Sequence, residues 1–232
     1  MEYKIKLRRM AEGNEKFVAF ATPIIKSKKK LLGVRTPDFV RLAKEMAKDM
    51  GVQDAKKMAR EVDDGVYEEV SLFGAIIGYG DFSDRERIEL FSSYIPKVDC
   101  WALVDGMLSK QNKYDGEVWW EFAGKCLKSM DEFEVRFGVM LMMSQFLSKR
   151  LKRVFERLRG VKHEGYYVKM VMAWTYAEAA LVDYGATMKE LEDSGIDVWT
   201  KRKAYTKMCE SRRLSASQKE EIREARAKLR KG

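Results

Sequence analysis

The chain has 232 residues, of which 46% are hydrophobic and only 3 are proline, enough apolar material for a sizeable core and too little proline for a Pro-rich linker. No charged n-region followed by an apolar stretch is seen at the N-terminus and no apolar run is long enough to span a bilayer, so a soluble, cytoplasmic protein is the expectation. The formal net charge of +9 is regional: 149–169 nets +6, 201–232 nets +8 and the remainder nets −5, the asymmetry of a surface that meets a polyanion or of a solvated basic tail.

Ala, Leu, Glu, Lys, Arg and Met dominate and no strand pattern competes, so an all-α chain is expected, read as one domain over 1–232. Lys26-Ser-Lys-Lys-Lys30 reads as a solvated loop or a phosphate contact. Thr36-Pro37 follows as a helix start, with Thr36 as cap and Phe39, Leu42, Ala43 and Met46 on one apolar stripe. A longer apolar helix is expected near 66–79, and Ser83-Asp-Arg-Glu86 has capping-box form ahead of Ile88, Leu90 and Phe91. Pro96 closes that segment, and the Trp101 helix begins. Further apolar helices are expected near 117–129, 133–148 and 165–184, with His163 in a solvated connector, and Ser215-Ala-Ser-Gln218 caps a final basic helix. Recurring helix pairs without a tight repeat suggest a degenerate solenoid of HEAT-like type.

Two residue types stand out inside this frame. Trp101 and Asp105 are four apart, which puts an indole and a carboxylate on one helical face. Such a pair can be an ordinary helix interface. It can also serve a sugar cation, with the carboxylate stabilising positive charge and the indole face packing against it. Arg136 lies 31 residues after Asp105, in an otherwise apolar helix, where an inward guanidinium needs a carboxylate or a phosphate. Trp174 lies another 38 residues on, among apolar neighbours that suit a core tryptophan. These intervals approximate a two-helix repeat, so equivalent faces of successive repeats could gather the four residues. Three cysteines outside any CxxC spacing argue against a disulfide framework and against a zinc site; a single histidine, in a polar connector, argues against a His-based triad and excludes a multi-His metal centre. No metal and no organic cofactor is expected.

Leu32-Gly-Val-Arg-Thr-Pro-Asp-Phe-Val-Arg-Leu-Ala-Lys44, Trp101-Ala-Leu-Val-Asp105, Arg136, and Trp174 after Tyr167-Val-Lys-Met-Val-Met-Ala together resemble the AlkD family of DNA alkylation repair glycosylases. The resemblance spans most of the chain. It implies a HEAT-like superhelix with a concave basic cleft, and a monofunctional DNA glycosylase that releases cationic purines of the N3-methyladenine and N7-methylguanine type from duplex DNA. It also implies Asp105, Trp101, Trp174 and Arg136 as catalytic residues, without extrusion of the base into a pocket. Lys26, Lys28, Lys29, Arg35, Lys149, Arg150, Arg153 and Lys169 are the candidate DNA contacts, the partner is double-stranded DNA with alkylated bases, and a monomer is expected. Three positions depart from the family pattern: Ala102 replaces the first Asp of its Trp-Asp-x-Val-Asp segment, Ile24 sits near where the family often carries a DNA-facing Tyr, and Ala177 follows Trp174 where an Arg of the family commonly contacts phosphate. A catalytically silent DNA-binding or adaptor module, and an RNA-binding or ribosome-associated scaffold, are the competing readings, since charge alone does not distinguish polyanions.

Overall fold

The structure is a computed structural model that describes residues 2–108, 114, 116–192 and 195–229. Every regular element among them is helical, and the only extended pairing is a single bridge between Lys30 and Val66. The chain divides into two compact units, Met1–Tyr114 and Asp115–Gly232.

The first unit contains α1 (Glu2–Ala11), α2 (Glu15–Ile25), α3 (Thr36–Lys48), α4 (Val52–Glu61), α5 (Tyr67–Tyr79), α6 (Asp84–Tyr94), a 3-10 turn at Ile95–Lys97 and α7 (Trp101–Leu108). Alternate helices stack, α3 on α5, α5 on α7 and α4 on α6, while α4 and α6 also flank α5. This is how paired-helix repeats bury a continuous core. Helix α5 is the centre because it is apolar nearly all round: Val70, Leu72, Phe73, Ala75, Ile76 and Ile77 are fully buried. Each of the larger of these side chains contributes roughly 2 kcal/mol by leaving water.

The second unit contains α8 (Glu117–Cys126), α9 (Glu132–Leu141), a π-helical turn at Met142–Phe146, α10 (Leu147–Arg159), α11 (Tyr166–Val182), α12 (Tyr184–Leu191), α13 (Val198–Glu210) and α14 (Ala216–Lys228). Its long central helix is α11, packed against α9, α10, α12 and α13, with Val171, Ala173, Tyr176 and Ala179 fully buried.

The capping boxes foreseen at Ser83 and Ser215 both form, with reciprocal bonds to Glu86 and Gln218. Two other expectations are corrected. Thr36 is the first helical residue rather than the cap; the cap position is Arg35, which supplies no side-chain bond, and Pro37 with its preset φ starts the helix instead. The helix expected over 133–148 is interrupted by the π turn, and a non-helical residue follows at Arg150 (φ −139°, ψ 36°). A π turn inserts a residue into the ladder and changes which positions of the next helix face the core. Thus α10 buries Leu147, Val154, Phe155 and Leu158 and leaves Lys149, Lys152 and Arg153 exposed.

His163 is half-buried rather than freely solvated, for it ties down the connector after α10. Its Nδ1 accepts from the Gly165 N–H at 3.0 Å, and its Nε2 lies 3.1 Å from the Met130 carbonyl.

The stretch between α2 and α3, the lysine-rich loop, is held by a buried carboxylate. Glu68 on α5 is 4% exposed and accepts from the backbone N–H groups of Leu32 (2.8 Å), Gly33 (2.7 Å) and Val34 (3.3 Å). Gly33 has φ +102°, and an added Cβ would come within 2.6 Å of Val18, so no other residue fits without strain.

All three thiols are free. Burial pushes Cys100 up to about 11 and Cys126 up to about 12, which keeps both protonated and shielded. In the folded protein at pH 8, a thiol reagent should therefore modify the half-buried Cys209 first and the other two only on unfolding. Rapid labelling of two or three thiols would contradict this.

Candidate functional site

Helix α7 begins at Trp101, so Trp101 and Asp105 lie one turn apart on one face, both half-buried. The Trp101 indole is anchored: Nε1 donates to the Ile24 carbonyl at 3.1 Å, at the end of α2. Just before the helix, the Asp99 carboxylate accepts from the Ser27 hydroxyl (2.8 and 2.9 Å) and from the Lys28 N–H (2.7 Å). The α2–α3 loop is thereby clamped to the start of α7 from one side and to Glu68 from the other. Sequence reading did not single out Asp99 or Glu68, because both bonds join segments far apart in the chain.

On the stripe of α7 next to that pair, Ala102 and Gly106 line a cavity of about 310 Å³ with Phe17, Phe39, Tyr67 and Glu68. A Cβ at Gly106 would meet nothing within 4 Å, so the space is open at that point. Tyr67 keeps its proton, since burial, with Cys100, Glu68 and Asp99 nearby, pushes its phenol well above its ordinary value. Ala102, where the resembled family carries an Asp, adds no carboxylate here.

In the second unit Arg136 on α9 is 5% exposed, and its Nη1 donates to the Tyr167 carbonyl at 2.9 Å. Glu132, one turn earlier, accepts from the Tyr167 N–H at 2.6 Å. The two side chains hold both polar groups of one residue in the first turn of α11. Arg136 is thus part of the packing of α9 on α11 whatever else it does.

Trp174 lies on α11, half-buried. Its Nε1 donates to Glu178 Oε1 at 3.3 Å, and Glu178 Oε2 accepts from Arg213 at 2.7 Å. These three residues border a cavity of about 470 Å³ whose apolar wall includes Met143, Leu147 and Leu181. Glu178 and Arg213 were missed in the sequence, although Trp174 and Glu178 repeat the four-residue spacing of Trp101 and Asp105. That spacing was the available signal. Ala177 is buried beside them. Removing the acceptor with Glu178→Ala should shift the Trp174 indole N–H resonance and leave the other four tryptophan signals in place. An unmoved Trp174 signal would rule out Glu178 as the group that orients the ring.

The candidate DNA contacts differ in how much charge they leave open. Lys26 is exposed and caps α2 in a left-handed conformation (φ 55°), whereas Lys29 Nζ donates to the Asp64 carbonyl at 2.6 Å. Arg35 stacks on Phe17 at 4.5 Å, with Nε near Asn14 Oδ1 at 3.4 Å. On α10, Arg150, Arg153 and Arg157 lie 5.1, 4.8 and 4.7 Å from the ring of one buried tryptophan, Trp120. Arg150 pairs with Glu117 and Arg157 with Glu121, each at 2.8 Å, while Arg153 stays exposed. Gly124 leaves the room Arg157 needs, since a Cβ there would collide with the guanidinium. Lys169 is paired with Glu164 and lies 3.9 Å from Asp197; the Glu164 bond raises its pKa. With its charge already met, Lys169→Ala should leave the salt dependence of DNA binding unchanged. A slope lower by about one would show that Lys169 breaks its pair to reach a phosphate.

Paired helices stacked in alternation, with an indole and a carboxylate one turn apart in each unit and a cationic face on α10, define an all-helical repeat-like protein. Residues 7–208 match the family model described as DNA alkylation repair enzyme, and the chain belongs to that family. DNA alkylation repair is accordingly its role and DNA its partner. No curated protein gave a match. No helix among the described residues is long and apolar enough to cross a membrane, and no group of three or more potential metal-ligating residues occurs among them.

Proposed function

We propose that the protein is a monofunctional glycosylase that hydrolyses the N-glycosidic bond of cationic alkylated purines, of the N3-methyladenine and N7-methylguanine classes, in duplex DNA. The observation that carries this reading is the Trp101–Asp105 pair: a half-buried carboxylate one turn from an indole whose orientation is set by the Ile24 carbonyl. A purine that already bears a positive charge departs with the bonding electrons as a neutral base, so no general acid is required. The only histidine is engaged in the α10–α11 connector, in keeping with that economy.

What the chain must supply is stabilisation of the sugar cation at C1′ and a positioned water. Asp105 does the first by its charge and the second by accepting a proton from the attacking water. Trp101 packs its face against the deoxyribose, which attracts the cation and excludes bulk solvent. Trp174 has the same task and is oriented by Glu178; Arg136 has the task of phosphate contact, in addition to holding the start of α11. The exposed cations of the α2–α3 loop and α10 bind backbone phosphates without reading sequence. Release of N7-methylguanine from methylated duplex DNA, compared between the native chain and Asp105→Asn, tests the reading.

Ala102, in place of the family's Asp, favours a second reading in which the protein binds DNA without excising bases. No release by the native chain, with duplex binding intact, would support that alternative. In either case Lys149→Ala with Arg153→Ala, two exposed cations of α10, should lower the salt slope of duplex binding by roughly one unit for each phosphate no longer neutralised. A flat salt dependence in the native protein would argue against backbone binding altogether.

A further inference from the structure

The C-terminal charge is organised into a site. On α13, Trp199, Arg202, Lys203 and Thr206 occupy positions i, i+3, i+4 and i+7, one face of the helix. Helix α14 packs on α13 and adds Arg226, and the five residues line a pocket of about 220 Å³. Arg226 Nη1 donates to Thr206 Oγ1 at 3.3 Å, and Arg202 Nη2 donates to the Leu229 carbonyl at the end of α14 at 3.2 Å. The Lys203 ammonium lies 5.5 Å from the centre of the Trp199 ring.

Three cations thus converge on one concavity, and no carboxylate among the described residues lines it. Three carboxylates on or capping these two helices have partners outside the pocket: Glu220 pairs with Arg223 at 2.7 Å, Glu221 accepts from the Tyr184 hydroxyl at 2.9 Å, and Asp197 accepts from the Thr200 N–H at the start of α13. Like charges held together by side-chain and carbonyl bonds, with no counter-ion among the described residues, repel one another unless an anion joins them. Guanidinium forks suit the tetrahedral oxygens of a phosphate, and Trp199, half-buried with Tyr166 edge-on to its ring at 5.7 Å, is the aromatic wall of the pocket against which a base can stack. Helix α14 lies outside the residues that match the family model, 7–208, so the second wall of this pocket is an addition to the matched region.

We propose that the α13–α14 pocket is an anion site that takes a phosphate group, with Trp199 as the stacking platform for an attached base. The phosphate comes either from a nucleic-acid backbone or from a free phosphomonoester. The site works independently of Asp105, so it stands or falls apart from the glycosylase reading.

Inorganic phosphate and dAMP are titrated calorimetrically into the full chain at low ionic strength, and binding of an unmodified labelled duplex is followed by anisotropy from low to moderate salt. Arg226→Gln and Lys203→Gln are compared with Arg223→Gln, which removes the same charge from α14 outside the pocket, and with Arg226→Lys, which keeps the charge. Unchanged thermal melts show that the variants fold. A tenfold or larger loss of phosphate and dAMP affinity in the two pocket variants, absent in Arg223→Gln and largely recovered in Arg226→Lys, supports the site with a phosphomonoester as source. A duplex salt slope lower by about one per pocket residue, again absent in Arg223→Gln, supports it with backbone phosphate as source. Equal losses in pocket and control variants, or no probe that responds to the pocket residues, overturns the proposal. Asp105→Asn should leave every one of these readings unchanged.

Discussion

Asp105→Asn should slow release of N7-methylguanine from methylated duplex DNA by roughly a hundredfold or more, the scale of removing one preorganised electrostatic interaction with a developing charge. Asn keeps the shape of the side chain and removes its negative charge, so the helical position next to Trp101 is preserved. Affinity for unmodified duplex should stay within about twofold, because backbone phosphates rather than the carboxylate supply that affinity. A single-turnover assay on methylated DNA, paired with an anisotropy titration, separates the two quantities. Excision at the native rate in the Asn variant would remove Asp105 from the mechanism. Parallel loss of excision and duplex binding would mean that Asp105 supports the fold or the DNA surface rather than the chemistry.

The second large effect concerns stability. Glu68→Ala should destabilise the first unit by about 3 kcal/mol or more, because it strips the acceptor from three backbone N–H groups at Leu32, Gly33 and Val34, each costing roughly 1 kcal/mol or more when left without a partner. Urea unfolding should show an early loss of structure in the variant, and Glu68→Gln should recover part of it by keeping one acceptor oxygen. A loss below about 1 kcal/mol would mean that water satisfies the three donors and that the carboxylate is not what holds the loop. The consequence extends to the candidate site. Freed from Glu68, the α2–α3 loop would keep its Asp99 clamp at the start of α7 and the bonds of Lys29 and Lys30 to 64–67, but would lose its hold at 32–34, so positioning of Lys28 and Trp101 should loosen and DNA affinity should fall with stability.

Much of the local structure was legible in the residues. The Ser83 and Ser215 boxes form because the cap and its partner three residues later belong to one turn, so their bonds need no tertiary help. Helix α5 is central because a helix apolar on all sides must be surrounded, and that can be read from its composition. The Trp101–Asp105 pair is readable for the same local reason: spacing within a helix fixes relative direction. Trp174 and Glu178 obey that rule too, but the apolar residues flanking Trp174 point to packing and hide Glu178 as its partner.

What stayed hidden depends on partners distant in the chain. Glu68 and Glu69 sit side by side, and nothing in their order says that both are buried, with Glu68 gathering three N–H groups from 36 or fewer residues away and Glu69 pairing with Lys4 at 2.9 Å. Arg136 reads as a cation that needs an anion; one of its bonds, at 2.9 Å, goes to a backbone carbonyl, an acceptor that every residue carries and no sequence pattern marks. The basic run 149–169 read as one charged stretch, whereas Lys169 is paired off and Arg150 and Arg157 are stacked and paired at once.

The amino-acid sequence by itself determined the all-helical class, the principal helix starts and the four-residue register of indole and carboxylate, because helix periodicity and capping act over one or two turns. Only the tertiary structure decided that the four candidate site residues are carried two by each unit, that a buried glutamate fastens the lysine-rich loop, and that Arg226 closes a cationic pocket with Arg202 and Lys203. Burial and long-range hydrogen bonding depend on which segments meet, and a charge acquires its chemical meaning only once its partner, or the lack of one, is in place.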